Sequence, residues 1–584
     1  MKFRGKLHAA LLVFVFAILA FTADAQQGSG VLTGRVMTED GQPIPHAIVS
    51  ISGVSGRAKQ TTINRESITD DDGKFVVDGL DAIPYLVSAW SPGYVPESDS
   101  GAINPFELSK ARFVHVGQVV TVKLILGGVI TGRVTTDAGE PVIGAPVRAI
   151  RVRDETGLST SADVNYAHLW TRTTDDRGVY RIYGLAPGAY IVAAGGSDPS
   201  SARSTPFAGR TIAYHPSSTR DAATLVNVSS GSEATSIDVV YHGDSGFAIS
   251  GKIRGTPGTT SAITQTATKI FLRSPTRNET IDITTSQANN NQNGYAFYGV
   301  PNGEYEVIAR NDGRDGGNGL DSTASRVTVK GADVTGVDLT LVPNATVSGV
   351  VVVMKSDSDA LECQNHRKSY TEEIIVRARR ADSADNRRRL LPVTSGYGVG
   401  IPNDEGFFTI RDLKPGRHRI ELELPNKLWY LKAMAMTGSK PAVNPATGLT
   451  VKSGDKLIGL RLTIASGAAM FKGKITAAEN TKLPARLHVH LIPAEAGAAE
   501  DVLRFAETSA EADGSFTFTH LAPGKYFVFA RTIPDSESGD ESLRPGASDA
   551  AERKELRKEA AASNFVIELK PCQQVVGYAQ RLTN

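Results

Sequence analysis

The sequence predicts an all-β fold of five tandem β-sandwich domains in an extended array, with a short helix inserted near the C-terminus. Three observations support this prediction. Glycine and proline are plentiful, at 57 and 28 of 584 residues. Short runs of alternating polar and apolar residues recur between turn signals, whereas helix-period patterns are scarce. One stretch of the chain also returns five times at a domain-sized spacing.

The chain begins with a stretch typical of a secretory signal peptide. A basic start precedes the apolar run LHAALLVFVFAILAF, which is too short to span a membrane, and a small-x-small cleavage site ends at Ala25. Cleavage there predicts a secreted, periplasmic or cell-surface protein without a transmembrane segment. It would also change the formal net charge from +1 to about −1, which gives no electrostatic reason to expect nucleic-acid binding.

The recurring stretch is TTDDRGVYRIYGLAPGAYIVAA, which starts at Thr173. Each copy has a turn rich in Asp or Asn, a glycine, and then two alternating strands that a tight turn joins. The glycines of the five copies lie about 105 to 116 residues apart, which is the length of a small domain. They are Gly73, Gly178, Gly294, Gly406 and Gly514.

A second motif precedes each copy and predicts the first strand of each domain. It carries a glycine within an apolar run, at Gly34, Gly132, Gly251, Gly349 and Gly473. In the first two copies it continues through a turn and a proline into a returning strand, which is the pattern of a β-hairpin.

These motifs divide the chain into a signal peptide and five units. The predicted bounds are 1–25 for the signal peptide and 29–126, 127–245, 246–344, 345–467 and 468–584 for the domains. About seven short strands per unit leave no room for a helical layer, so a two-sheet sandwich is expected. The short joints favour a moderately stiff rod, with a folded-back arrangement as the alternative.

The order of the motifs resembles that of the carboxypeptidase regulatory-like domain. The second copy matches along its length and the first nearly so, whereas copies three to five match chiefly in the strand glycine and the D-x-x-G to Pro-Gly stretch. The resemblance implies a transthyretin-like (prealbumin-like), Ig-like sandwich, related to Cna-B-type modules of bacterial surface proteins and grouped with carbohydrate-binding-like folds. It also implies a domain that does not itself perform peptidase chemistry.

No catalytic site and no cofactor are predicted. The one H-x-x-E string joins His418 to Glu421, and residues three apart in a strand point to opposite faces, which is unsuitable for a zinc pair. His418 also stands where the other copies carry a tyrosine. The string GDSG at Gly243 lies at a domain joint, where a connecting turn is the simpler interpretation.

Two sets of residues are weak candidates for metal binding. The string LHVHL places His488 and His490 on one face of a strand, at a spacing that metal ligands use, with a solvated strand face as the alternative. The aspartates at 70–72 and 175–176 could contribute to calcium sites. However, Asp also binds the backbone of its own turn, and no spaced D-x-D-x-D loop is present.

Three tryptophans, Trp90, Trp170 and Trp429, are candidates for stacking on sugar rings, with packing in a core or joint as the alternative. The two cysteines, Cys363 and Cys572, would link the fourth and fifth domains if they pair, because exported cysteines form disulfides more often than they stay free. The charged stretch that starts at Ser548 has the composition of a surface helix.

The sequence therefore favours a non-enzymatic exported scaffold, adhesion or spacer protein. Its expected partner is an unidentified protein or polysaccharide of the cell surface. The second hypothesis is a carbohydrate-binding protein or an accessory to polysaccharide uptake, and the third is an uncharacterised hydrolase. Because sandwich folds host unrelated functions, the fold alone does not decide among them.

Overall fold

A computed structural model describes most of the chain between residues 30 and 582. The described residues are 30–56, 64–97, 112–155, 157, 171–196, 206–207, 209–216, 219–256, 268–277, 279–289, 292–311, 318–354, 363, 369–380, 398–437, 445–477, 483–484, 487–532, 550–563 and 565–582. The predicted signal peptide and Trp170 lie outside them.

The described residues form five hydrophobic cores that follow one another along the chain. The cores extend from Leu32 to Leu124, Ile130 to Tyr241, Ile249 to Leu341, Ala345 to Ile464 and Ala469 to Leu569. We call the corresponding domains sandwiches 1 to 5. The all-β class, the tandem sandwiches and the single helix near the C-terminus are confirmed. The exact residue bounds of the five domains stay a prediction.

Sandwich 1 shows the plan that the others vary. Its strands are β1 Gly30–Met37, β2 Ile48–Gly53, β3 Asn64–Ile68, β4 Lys74–Leu80, β5 Tyr85–Trp90, β6 Tyr94–Pro96 and β7 Val119–Leu126. One sheet has the order β4-β1-β7-β6 and the other β3-β2-β5. The first strand pairs antiparallel with β4 and parallel with β7, the last strand of the domain.

Sandwich 2 repeats this plan with a divided last strand. Its strands are β8 Gly128–Thr135, β9 Pro146–Asp154, β10 Thr171–Thr173, β11 Val179–Leu185, β12 Gly188–Ala194, β13 Ala213–Tyr214, β14 Val226–Val228, β15 Glu233–Ala234 and β16 Val239–Val240. Strands β15 and β16 both run parallel to β8.

Sandwich 3 forms one continuous sheet, since β23 pairs with both β22 and β25. Its strands are β17 Phe247–Gly255, β18 Lys269–Ser274, β19 Glu279–Thr285, β20 Gln287–Asn289, β21 Gln292–Val300, β22 Gly303–Asn311, β23 Leu320–Ser322, β24 Ser325–Val329 and β25 Leu339–Pro343.

Sandwich 4 has two four-stranded sheets, ordered β29-β26-β33-β31 and β28-β27-β30-β32. Its strands are β26 Ala345–Met354, β27 Ile375–Arg380, β28 Val399–Gly400, β29 Phe407–Leu413, β30 Gly416–Glu423, β31 Trp429–Met436, β32 Leu449–Val451 and β33 Lys456–Ser466.

Sandwich 5 has sheets ordered β37-β34-β40 and β36-β35-β38-β39. Its elements are β34 Ala469–Thr476, β35 Leu487–Pro493, β36 Ala506–Ser509, β37 Ser515–Leu521, β38 Gly524–Thr532, helix α1 Ala550–Ser563, β39 Val566–Leu569 and β40 Gln574–Arg581. Short 3-10 turns in the chain lie at Arg220–Ala222, Thr371–Glu373, Pro445–Thr447, Ala496–Ala498 and Val502–Arg504.

The glycine of each first strand lies directly opposite an aromatic residue. The five cross-strand pairs are Gly34 with Phe75, Gly132 with Tyr180, Gly251 with Tyr295, Gly349 with Phe408 and Gly473 with Phe516. A Cβ atom on Gly132 would lie 2.0 Å from the carbonyl oxygen of Ile237, and one on Gly251 1.9 Å from that of Val337. Only glycine therefore allows the parallel chain on its other side to approach so closely.

We expect Gly132→Ala to lower the free energy of unfolding of sandwich 2 by about 1–3 kcal/mol, because the added methyl group overlaps the Ile237 carbonyl. Hydrogen exchange of the sandwich 2 amides in the full chain measures this change. Gly497→Ala is the control, since a Cβ there meets nothing within 4 Å. Equal exchange in both variants would contradict the role of the close approach.

A side chain four residues after a carbonyl closes the turn in every sandwich. The hydroxyls of Tyr85, Tyr190, Tyr305 and Tyr526 donate to the carbonyl oxygens of Asp81, Ala186, Pro301 and Ala522, at 2.6 to 3.0 Å. In sandwich 4 the Nε2 atom of His418 makes the same contact to Lys414 O at 2.8 Å. His418 thus replaces the tyrosine of the other copies.

The four joints between consecutive sandwiches share one geometry. A residue just before the first strand of each following sandwich donates its backbone N–H to a carbonyl of the sandwich before it. These hydrogen bonds run from Gly127 to Gly93, Gly246 to Gly209, Asn344 to Gly319 and Ala468 to Leu428, at 2.8 to 3.4 Å. We call the accepting residues the docking turns.

Each docking turn lies against a β-bulge in the next sandwich. The bulge residues have positive φ and are Gly184, Gly299, Asp412 and His520. A Cβ on Gly299 would lie 2.3 Å from Arg210 O. The Asp412 carboxylate accepts from Gly319 N, and the Nδ1 atom of His520 donates to Trp429 O at 2.8 Å. The bulge that contacts the docking turn therefore lies at the equivalent position in all four joints.

The arrangement of the sandwiches differs from the extended rod that the short joints favour, because the chain folds back and sandwich 1 contacts sandwich 4. Leu86 and Phe113 of sandwich 1 are buried in one cluster with Ile375 and Ile401 of sandwich 4. The physical reason is that β5 and β27 carry apolar side chains on both faces, so that their outer faces also need to be covered.

Candidate functional site

An exposed apolar row crosses the outer face of sandwich 1. Trp90 ends β5 and is 58% exposed. It pairs in register with Ile48, which pairs in turn with Ile68, itself 67% exposed. We call these three residues the Trp90 row. An exposed indole beside small polar groups is suited to stacking on the apolar face of a sugar ring.

Polar groups lie in the next row of the same sheet face. Ser50 pairs with Ser88 on one side and with Glu66 on the other. The hydroxyl and carboxylate oxygens of these residues lie one row from Trp90, where they can bind the hydroxyl groups of a ligand that stacks on Trp90. The sheet therefore combines a stacking surface with hydrogen-bonding groups.

The other two tryptophans do not join this row. Trp429 is 8% exposed and packs in the core of sandwich 4, while its carbonyl oxygen accepts from His520 at the joint to sandwich 5. It is therefore a core and joint residue rather than a stacking platform. Trp170 lies outside the described residues, so its role stays a prediction.

His488 and His490 lie on the outer face of sandwich 5, beneath other side chains. Helix α1 covers part of this face, where Leu556 and Ala560 pack with Ile492 and Phe505. The side chains of the two histidines are 3% and 1% exposed. The solvated strand face considered as an alternative is thus wrong, because the inserted helix adds a third layer to this sandwich.

Glu507 of the neighbouring strand β36 lies between the two histidines. Its Oε1 is 2.6 Å from His488 Nδ1, and its Oε2 is 3.6 Å from His490 Nδ1. The sequence did not indicate this carboxylate, which is 19 residues away from His488 along the chain. Within the described residues, no group of three or more His, Cys, Asp or Glu side chains is arranged to hold a metal ion.

Burial keeps His490 neutral. It lowers the pKa of His490 to about 3, and the nearby Arg531 and His488 act in the same direction. Both ring nitrogens of His490 are buried without a hydrogen-bond partner. A proton on His490 would therefore disfavour the packed state of sandwich 5.

We expect sandwich 5 to lose stability as the pH falls. The pKa of His490 is lower in the folded state than its ordinary 6.5, so its contribution is complete above pH 6.5. That contribution declines by about 1.4 kcal/mol per pH unit below it. Hydrogen exchange of helix α1 at pH 7 and pH 5 measures the loss, with sandwich 1 amides in the same sample as the control. His490→Phe should flatten the pH dependence, and an unchanged slope would contradict this origin.

The structure brings Cys363 and Cys572 together in a disulfide, with their Cα atoms 5.4 Å apart. Cys363 follows β26 of sandwich 4, and Cys572 lies between β39 and β40 of sandwich 5. Cys572 also donates its backbone N–H to Gly467 O at 3.0 Å, within the joint. The bond thus crosses the fourth joint and limits how far these two sandwiches can separate.

The acidic turns are explained by their own hydrogen bonds. Asp70 Oδ1 accepts from the backbone N–H groups of Asp72 and Lys74 at 3.0 and 2.7 Å. Asp175 Oδ1 accepts in the same way from Arg177 and Val179. These carboxylates hold the turn that precedes the next strand, which accounts for their recurrence without a bound cation.

A polar cleft of about 430 Å³ lies at the joint between sandwiches 1 and 2. Its walls include Glu39 and Glu97 from sandwich 1 and Asp154, Glu155 and Arg153 from sandwich 2. None of the described residues that line it is aromatic. The cleft therefore lacks a stacking surface of the kind found in the Trp90 row.

The sequence of sandwich 1 matches that of a known domain family. Residues 31–124 match the carboxypeptidase regulatory-like domain. The resemblance drawn from the repeated motifs is thus confirmed for sandwich 1, the carboxypeptidase regulatory-like domain of this chain. A comparison with curated proteins finds no match. No helix among the described residues is long and apolar enough to cross a membrane.

Several solved structures are similar to the chain. The Bacillus anthracis TIE protein is 12% identical over 54% of this chain and 51% of its own, with a TM-score of 0.15. The Streptococcus agalactiae minor pilin GBS52 is 16% identical over 37% and 96%, with a TM-score of 0.20. Two B repeat units of the Staphylococcus aureus collagen-binding protein are 12% identical over 75% and 100%, with a TM-score of 0.13. The match thus spans about half the length of the TIE protein. At these scores the similarities carry no conclusion about function.

Proposed function

We propose that this chain is a non-enzymatic exported scaffold that holds its sandwiches in fixed relative positions, for adhesion or spacing at a cell surface. The observation that carries this proposal is the set of direct contacts between sandwiches. Each joint places a docking turn on a bulge, a disulfide crosses the fourth joint, and sandwich 1 also packs on sandwich 4. A fixed geometry is what a spacer or presenting scaffold requires.

The contact between sandwiches 1 and 4 is specific as well as apolar. His115 is 4% exposed, and its Nε2 atom lies 2.8 Å from Glu373 O. The guanidinium of Arg377 lies 5.1 Å from the centre of the Phe113 ring. Because one buried hydrogen bond and one cation–π contact accompany the apolar cluster, the two surfaces fit in one orientation.

We expect Leu86→Asp to open this contact, because an unpaired carboxylate is costly to bury among Ile375 and Ile401. Small-angle X-ray scattering of the mature chain should show a larger radius of gyration, towards the roughly 45 Å of a rod of five strand lengths of about 33 Å each. Leu225→Asp is the matched control, since Leu225 is 48% exposed. A radius of gyration that is already rod-like in the unaltered chain would refute the folded-back scaffold.

The second candidate function is recognition of a surface polysaccharide by sandwich 1. The Trp90 row favours it, because a single exposed tryptophan continues an apolar row beside serine and glutamate side chains. The ligand expected is a glycan without acidic groups whose ring presents an apolar face, since the apolar row lies beside two serine hydroxyls and the Glu66 carboxylate.

We expect Trp90→Ala to reduce polysaccharide binding by about tenfold or more, because aromatic side chains dominate such contacts. Binding of the mature chain to an array of polysaccharides measures the effect. Tyr298→Ala is the matched control, as Tyr298 is a 60% exposed aromatic residue on sandwich 3. If the unaltered chain binds no glycan, this second function is excluded and the scaffold proposal is unaffected.

A further inference from the structure

The bulge that receives a docking turn in sandwiches 2 to 5 is also present in sandwich 1. The register between β1 and β4 shifts between Gly30 and Leu32, opposite Leu80 and Val77. Gly79 lies in this shift and has a φ of 67°, close to the 73° of Gly184 and the 71° of Gly299. Sandwich 1 therefore has the same receiving geometry as the sandwiches that accept a neighbour.

In sandwich 1 none of the described residues covers this bulge, and Gly79 is exposed. By contrast, Gly299 and Asp412 are buried, and Gly184 and His520 are half-buried. Among the described residues, no docking turn contacts Gly79. Within the part of the chain that the structure describes, the surface that four sandwiches use for a joint is thus exposed in the first.

Exposed apolar side chains lie on the strands next to this bulge. Val31, Val76 and Val119 are 41%, 61% and 80% exposed. Val31 lies in the register shift beside Gly79, and Thr33 pairs with Val76 on one side and Val119 on the other. We call Gly79 and these three valines the open end. The residues equivalent to Val31 are half-buried, and they are Val129, Ala248, Thr346 and Met470.

The other end of the array differs. In sandwiches 1 to 4 the docking turn is followed by a strand, β6, β13, β23 or β31. In sandwich 5 the described chain after β38 continues in helix α1, which packs on the outer face of its own sheet. The described array thus has a covered fifth sandwich and a receiving first sandwich.

We propose that the open end binds the docking turn of a β-sandwich in another protein. The chemistry of the partner follows from the four internal joints: a turn that presents a backbone carbonyl, followed by an extended segment. A second copy of this chain does not fit as well, because its own four docking turns are already engaged. This inference deepens the proposed scaffold function and depends on it, since it names the class of partner that the scaffold would hold.

The probe is a synthetic peptide of residues 425–437, which contains the docking turn of sandwich 4. Methyl NMR of the mature chain with labelled valine methyl groups detects even weak binding at Val31, Val76 and Val119. We expect saturable shifts at these three residues and none at Val576, which is 65% exposed on sandwich 5. A peptide of scrambled sequence is the control for non-specific adhesion.

The variant Val76→Lys should weaken peptide binding by about tenfold or more, because it places a charge in the apolar contact, whereas Val576→Lys should leave it unchanged. Absence of saturable shifts, or equal shifts with the scrambled peptide, would overturn the proposal. So would a dimer in sedimentation that Val76→Lys abolishes, since it would assign the open end to a second copy. The scattering test of the folded-back scaffold does not depend on these outcomes, so failure of the two proposals can be told apart.

Discussion

The close approach of a backbone carbonyl to the glycine of the first strand is the constraint on which sandwiches 1 to 4 depend, and in sandwich 5 the rings of Phe516 and Tyr578 fill the same space. The first strand lies between an antiparallel neighbour and the parallel last strand. Its glycine leaves room for a carbonyl of the parallel chain, and an aromatic ring of the antiparallel neighbour covers it. In sandwich 2 the carbonyl is that of Ile237, and the ring is that of Tyr180. The Tyr180 hydroxyl also donates to Ile237 O, which ties both neighbours to one position.

The joints follow from the same pair of strands. At the start of the first strand, its antiparallel neighbour carries an extra residue. The resulting bulge directs the end of that neighbour towards the preceding sandwich. Because the linker and the bulge share this corner, a short connection brings the docking turn onto the bulge at every joint. The contact of sandwich 1 with sandwich 4 combines the apolar cluster of Leu86, Phe113, Ile375 and Ile401 with the hydrogen bond of His115 to Glu373 O.

The sequence predicts those features that are encoded locally and repeated. The strand glycine, the acidic turn and the tyrosine that closes a turn each recur at a fixed spacing, and position in the repeat identifies His418 as the tyrosine equivalent of sandwich 4. The outer faces could not be predicted in this way. Burial of Leu86 depends on sandwich 4, which is distant in sequence, and burial of His490 depends on helix α1 and on Glu507. Alternation of polar and apolar residues in a strand predicts one buried face, but it does not indicate what covers the other face.

The bulge position shows how a joint can become specific. In sandwiches 1 to 3 it is glycine, which adopts a positive φ without strain. In sandwiches 4 and 5 it is Asp412 and His520, for which this conformation costs on the order of 1 kcal/mol. Both side chains offset that cost by binding a backbone group of the preceding sandwich, Gly319 N for Asp412 and Trp429 O for His520. A polar side chain at the bulge therefore adds a hydrogen bond to the joint that a glycine at the same position cannot make.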